Sequence, residues 1–255
     1  MHKFFYSKLL KKHIKNKESS LLVVAGGVND FDVLKNNGYK NVTISNCDER
    51  MKESFFSPFS WSYQNAESLT YPDNKFDFVI VHEGLHHCYS PHKALLEMYR
   101  VSKVGILCIE SKESKLMQLI YKLKLTYKYE LSAVFKNNML FGGVGNSEIP
   151  NFIYRWNERE IKKTINSFAP YCNHKIIFNY DYGTPYFLRD KIFLKQTIRI
   201  LVKILRPILL KEFNLFGFYV EKHNKNSNYF PWLTFEKKKI KLKKDWLKNN
   251  WEKTF

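Results

Sequence analysis

The chain has 255 residues, of which 44% are hydrophobic and 16% aromatic, enough to bury one sheet domain with appended elements and too apolar for a disordered chain. Its formal net charge of +18 favours anionic partners such as phosphate, anionic lipid or acidic glycan, although most of the lysines read as solvated surface. No run of eighteen apolar residues and no signal-peptide pattern is present, and Cys47, Cys88, Cys108 and Cys172 lack paired metal spacing, so a reducing cytoplasm is expected and a spanning helix is not.

In chain order, residues 1–19 hold six lysines against one acid within the first twenty positions and predict a basic helix or arm. Leu-Leu-Val-Val-Ala-Gly-Gly-Val-Asn-Asp at 21–30 then reads as an apolar strand, a glycine turn and a helix from about residue 31 to 37, stopped by Gly38. Gly26 and Gly27 let the backbone approach a ligand, and Asn29 or Asp30 suits the helix cap. A second strand at 41–45 ends in Asn46-Cys47-Asp48-Glu49.

Residues 76–81 form a short apolar run, introduced by Pro72-Asp73-Asn74 and ended by Gly84, as expected for a buried parallel strand. Ligands bind outside the carboxyl ends of strands in such sheets, so His82, Glu83, His86 and His87 lie where chemistry is expected. Beyond a further strand through Leu107-Cys108-Ile109-Glu110, the glycine-rich aromatic segment 139–156 and a helix starting near Asn157 suggest a mobile lid within about 113–170. Its Tyr154, Arg155 and Trp156 suit stacking on a ring and holding an anionic group, or simply anchoring the lid. Strands at 174–180 and 215–221 complete the sheet, an amphipathic helix with a basic stripe is predicted over 190–210, and 223–255 forms a basic tail.

Taken together, the glycine turn, the Asn65-Ala66-Glu67 segment and the strand leading into Gly84-Leu85-His86-His87 resemble a class I S-adenosylmethionine-dependent methyltransferase of the type 11-like group, over roughly residues 20–112. The resemblance implies an α/β fold: a Rossmann-like, doubly wound, mostly parallel seven-stranded sheet with an antiparallel last strand and a lid insertion, here spanning residues 20–222. It implies S-adenosylmethionine as cofactor. Ala25, Gly26, Gly27 and Asn29 would hold its methionine part, Asn46 with Cys47 its ribose, and Asn65, Ala66 and Glu67 its adenine, with His82 and Glu83 near the methionine end. The chain departs from the family pattern where Val23 replaces an acid, Ala25 and Asn29 replace glycines, and Asn46 replaces the acidic ribose ligand, keeping only an amide's donor and acceptor.

Two chemistries compete for the histidines. His82-Glu83-Gly84-Leu85-His86 matches the His-Glu-x-x-His pattern of zinc hydrolases, but it follows a strand, contains a glycine and lacks helical periodicity, so no metal is expected. For methyl transfer the sulfonium is already activated, and a histidine of near-neutral pKa suits removal of an acceptor proton. His87 or His86 is the candidate base, and a purely structural role for the pair, capping the helix that starts near Pro91, stays open.

The expected function is O-methylation of a glycan or other small polar acceptor, of the surface-polysaccharide type, by a cytoplasmic protein with peripheral contact to anionic membrane. The alternatives are a noncatalytic methyltransferase-like binding protein, a nucleic-acid methyltransferase, faintly suggested by Trp246 and Trp251 among C-terminal lysines, and the zinc hydrolase.

Overall fold

The computed structural model describes residues 2–183, 200, 204, 209–222, 229–236 and 239–250. Seven strands form one sheet: β1 (Leu21–Val23), β2 (Val42–Asn46), β3 (Ser60–Tyr63), β4 (Phe76–His82), β5 (Ser102–Ser111), β6 (Lys175–Asp181) and β7 (Leu215–Glu221). Their order is β3-β2-β1-β4-β5-β7-β6, with β7 antiparallel to both of its neighbours and the other pairings parallel. This is the doubly wound architecture expected. Strand order reverses at β1 and β4, where Val23 pairs with Ile44 on one side and Ile80 on the other, so a crevice opens beyond their carboxyl ends.

Alternation along the strands sends side chains to two apolar layers. Val23, Ile44, Ile80 and Ile109 face α1 (His2–His13) and α2 (Val28–Asn36), whereas Leu22, Val79, Val81 and Phe218 face α3 (Pro91–Val101) and α6 (Glu158–Phe168). The basic N-terminal segment is therefore no loose arm. Phe5, Tyr6, Leu9 and Leu10 are buried against the sheet while Lys3, Lys8, Lys11 and Lys12 stay exposed. Each such apolar side chain contributes about 1.5–3 kcal/mol of burial, which outweighs the segment's tendency to be solvated.

Between β5 and β6 lies the insertion expected to act as a lid, with α4 (Lys115–Lys122) and α5 (Leu131–Lys136), and a hairpin of β8 (Leu233–Glu236) and β9 (Lys239–Leu242) precedes α7 (Lys244–Asn250). The short edge strand β3, Ser-Trp-Ser-Tyr, has no apolar run to announce it in the sequence. The helix after the glycine turn starts at Val28, with Gly27 at its N-cap position, and Asp30 sits in its first turn, where its carboxylate accepts the Gly27 N–H at 3.0 Å. The predicted helix over 190–210 lies largely outside the described residues.

Candidate active site

Two structures converge on the turn at the end of β4: the glycine loop after β1 and a cavity beneath the lid. Ala25 adopts the left-handed region at φ 51°, and Gly26 turns so tightly that a Cβ there would lie 2.7 Å from Val23 Cγ1. A Cβ on Gly27 would meet nothing within 4 Å, so the loop faces open space at the N-terminus of α2. Asn46, at the end of β2, donates its amide to the Gly26 carbonyl at 2.9 Å and ties the loop to the sheet.

Asn65 closes a local turn, its side-chain oxygen accepting the Glu67 N–H at 2.9 Å, beside the nearly buried Ala66. The Glu67 carboxylate accepts the N–H groups of Tyr89 and Ser90 at 3.1 and 2.8 Å and so braces the entry to α3. That entry is capped by the Ser90 side chain, not by the histidine pair. Cys47 is half-buried, and burial raises its thiol pKa. Asn29 is exposed on the first turn of α2.

His82 and His86 face different neighbourhoods, so the His-Glu-x-x-His pattern builds no joint site. The His82 ring stacks on Tyr6 with centroids 4.8 Å apart, and its Nδ1 lies 4.0 Å from Asp30, whose carboxyl pKa is raised by burial. Glu83 follows with φ at 53°, a left-handed conformation at the wall of the cavity.

His86 is buried in the turn over Leu85–His87, with its Nδ1 3.0 Å from Glu110 Oε2 and its Nε2 3.3 Å from Glu130. Glu110, at the end of β5, is fully buried and its other oxygen accepts the N–H groups of Gly84 and Leu85 at 3.0 and 2.8 Å. Burial alone would disfavour charge on His86, but the hydrogen bonds to Glu110 and Glu130 outweigh it and bring the pKa to about 10. Burial and the neighbouring His86 push His87 below the usual imidazole value. His87 is therefore the neutral member of the pair, with its Nε2 3.6 Å from Glu130.

The cavity holds about 590 Å³ and combines Glu83, His86, His87 and Glu130 with an apolar wall that includes Tyr127, Tyr129, Phe135 and Ile153. Arg155 lies behind that wall, its guanidinium donating to the carbonyls of Tyr127 and Ile153 at 3.1 and 3.5 Å. Burial depresses its pKa. Trp156 is fully buried in the core against Tyr154 and His92, and Tyr154 donates to Glu160. Tyr154 and Trp156 thus anchor their segment to the core, and the rings that line the cavity are those of Tyr127, Tyr129 and Phe135, which the sequence pattern does not single out. Glu110 and Glu130 were also missed: strand-end position signalled the first, and nothing local signalled the second.

Comparison with known proteins agrees with this topology. Residues 22–109 match the family model described as "Methyltransferase domain". Residues 22–109 thus resemble a methyltransferase domain. Among curated relatives it is 38% identical over 79 residues to a demethylmenaquinone methyltransferase of Anoxybacillus flavithermus, covering 29% of this chain and 33% of that protein. It is 28% identical over 172 residues to a ubiquinone/menaquinone biosynthesis C-methyltransferase, UbiE, of Rickettsia bellii, covering 60% of this chain and 66% of the relative. The chain thus spans at most about two thirds of the length of these relatives. Among solved structures, the YcgJ protein of Bacillus subtilis superposes with a TM-score of 0.54 at 13% identity, over 87% of this chain and all of that one. Magnesium protoporphyrin IX methyltransferase of Synechocystis, solved with S-adenosylhomocysteine, reaches 0.50 at 11% identity, over 87% and 82% of the two chains. At those identities the structures show the fold alone.

S-adenosylmethionine is the cofactor that the match to a methyltransferase domain implies, and the loop geometry fits it. The open face beside Gly27 admits a ligand backbone-close, and the loop is held rigid by Asp30 and Asn46. The loop over Ala25–Gly27 follows β1, Asn46 ends β2 and Asn65 follows β3, so all three stand at the carboxyl ends of neighbouring strands.

Proposed function

We propose that the chain methylates a hydroxyl of a small-molecule or glycan acceptor bound in the lid cavity, using S-adenosylmethionine held on the loop from Ala25 to Gly27. The observation that carries this reading is that one turn serves both sites. Gly84 packs so closely on the glycine loop that a Cβ there would lie 2.8 Å from Ala25 Cβ, while Glu83, His86 and His87 of the same turn line the cavity. S-adenosylmethionine supplies an electrophilic methyl group and needs no further activation from the protein. His87, kept neutral by burial and by the His86 beside it, is poised to take the acceptor proton. Glu130, beside both histidines, offsets the charge that His87 gains, and the aromatic wall of Tyr127, Tyr129 and Phe135 holds the acceptor and excludes water.

A second reading is favoured by that same wall. Curated relatives are named for menaquinone and ubiquinone C-methylation, and an apolar, aromatic cavity suits a quinol ring as well as the flat face of a sugar. The lid exposes Leu119, Leu123, Leu131 and Phe135, and together with the net charge of +18 this supports peripheral contact with an anionic membrane on the cytoplasmic side. Among the described residues no helix is long and apolar enough to cross a membrane.

The test is calorimetric titration of chelator-treated protein with S-adenosylhomocysteine, for wild type and Gly27→Arg, followed by turnover on glycan and quinol acceptors. Micromolar binding lost in Gly27→Arg supports the reading, and the acceptor that turns over selects between oxygen and ring carbon. Absence of binding by wild type overturns it in favour of a noncatalytic binding domain.

A further inference from the structure

We propose that His86, His87 and Glu130 bind one divalent first-row transition metal ion, of which zinc is the type, with a remaining coordination position open to the lid cavity. The geometry stands without the methyl-transfer reading, and only its catalytic consequence rests on that reading.

The three donor atoms already crowd together. Glu130 Oε2 lies 3.3 Å from His86 Nε2 and 3.6 Å from His87 Nε2, and all three donors fall within 4.8 Å of one another. A tetrahedral ion with bonds of about 2.0–2.2 Å places its ligand atoms roughly 3.3–3.5 Å apart, so two of the three edges are close to the required length. Only the edge between the imidazoles must close.

The surroundings are those of a ligand set. His86 turns its second nitrogen, Nδ1, to the buried Glu110 carboxylate at 3.0 Å, and such a carboxylate behind a histidine fixes the ring orientation that ligation needs. Glu110 is itself held by two backbone N–H groups, so the ring cannot drift. On the other side the Asn151 amide lies 3.5 Å from Glu130 Oε2. Donors of two imidazoles and one carboxylate suit zinc or cobalt over magnesium or calcium, which take oxygen ligands.

All three ligands line the cavity, which sets this arrangement apart from a closed structural site. The His82-Glu83-x-x-His86 pattern plays no part, because His82 lies toward Asp30 and Tyr6. With the ion bound, His87 would be a ligand in place of a base, and an acceptor hydroxyl at the open position would be acidified by the ion and release its proton to solvent, as water does on catalytic zinc.

The experiment uses the full chain, stripped with chelator and titrated calorimetrically with zinc, with S-adenosylhomocysteine titrated separately into the same preparations. Wild type is expected to take up one zinc per chain with micromolar or tighter affinity. His87→Gln and Glu130→Gln should each weaken uptake by at least about 100-fold, and Glu110→Gln by about 10- to 100-fold through the freed ring. Cobalt in place of zinc should give the intense visible absorption of a tetrahedral site, lost in Glu130→Gln. Near-ultraviolet circular dichroism identifies any variant that fails to fold, and Glu130→Gln, altering a lid residue outside the sheet, is the variant expected to keep its fold.

No zinc uptake by wild type, or uptake unaffected by the three substitutions, overturns the inference. Cofactor-product binding without zinc uptake overturns it while leaving the methyl-transfer reading intact. Zinc uptake without cofactor-product binding supports the metal site and overturns methyl transfer.

Discussion

Glu110 Oε2 and His86 Nδ1 meet at 3.0 Å across the gap between β5 and the turn after β4, and the other oxygen of Glu110 holds the N–H groups of Gly84 and Leu85. One buried carboxylate thereby fixes the turn on which the glycine loop packs and from which the cavity histidines project. Glu110→Gln keeps the shape but weakens charge-assisted bonds, and is expected to cost about 1.5–3 kcal/mol. Glu110→Ala leaves His86 and two N–H groups buried without their partner, and should cost about 3–5 kcal/mol. Urea unfolding curves for the three proteins check the order, and coincident midpoints would show that the turn is held by other contacts.

Ala25 and Gly84 form a matched pair. Ala25 sits at φ 51°, where glycine is at ease and alanine is strained, and its Cβ occupies the space that a side chain at position 84 would need. Ala25→Gly is expected to stabilise the fold by about 1 kcal/mol through relief of left-handed strain. Gly84→Ala, overlapping Ala25 Cβ and Val81, should destabilise by about 1–3 kcal/mol. The double variant should recover part of that loss. A thermodynamic cycle with no coupling between the two positions would refute the pairing.

The sheet was legible because its central strands are buried on both faces and read as apolar runs, as in Phe78-Val79-Ile80-Val81 of β4. Motif order marked one edge of the sheet, since the glycine turn follows β1, Asn46 ends β2 and Asn65 follows β3. The cavity was not legible. Glu130 reaches the histidines only because the lid folds back from 43 residues along the chain, and a lone glutamate in a polar segment carries no periodic signal. For Trp156 the sequence leaves stacking and anchoring both open, and its partners in α3 and β7 make it an anchoring core residue.

His13 ends α1 stacked on Tyr219 at 4.6 Å, and burial, reinforced by Lys12, lowers its pKa to about 4. The unfolded chain therefore binds its proton between about pH 6.5 and 4 while the folded chain resists it, so stability falls as pH drops through that window. His13→Phe keeps a ring on Tyr219 and removes the titration. Unfolding free energies measured from pH 4 to 7 should show a steeper acid loss for wild type than for the variant, and parallel curves would exclude His13 as a source of acid sensitivity.

Glu83 joins strain to a position in the cavity wall. It follows β4 at φ 53°, and its N–H is held by the Ile109 carbonyl at 2.8 Å, so the sheet itself imposes the left-handed turn. Non-glycine residues keep such a conformation at a cost of about 1–2 kcal/mol, and persist there where the side chain serves a purpose. Glu83→Gly should raise stability by about 1 kcal/mol through relief of that strain. The same variant should lose turnover, since Glu83 lines the cavity. Glu83→Ala separates the two effects, because it discards the carboxylate but keeps the strain. Equal turnover in wild type, Glu83→Gly and Glu83→Ala would show that the carboxylate takes no part in the reaction, whereas a loss shared by both variants with stability gained only in the glycine form would place strain and function in the same side chain.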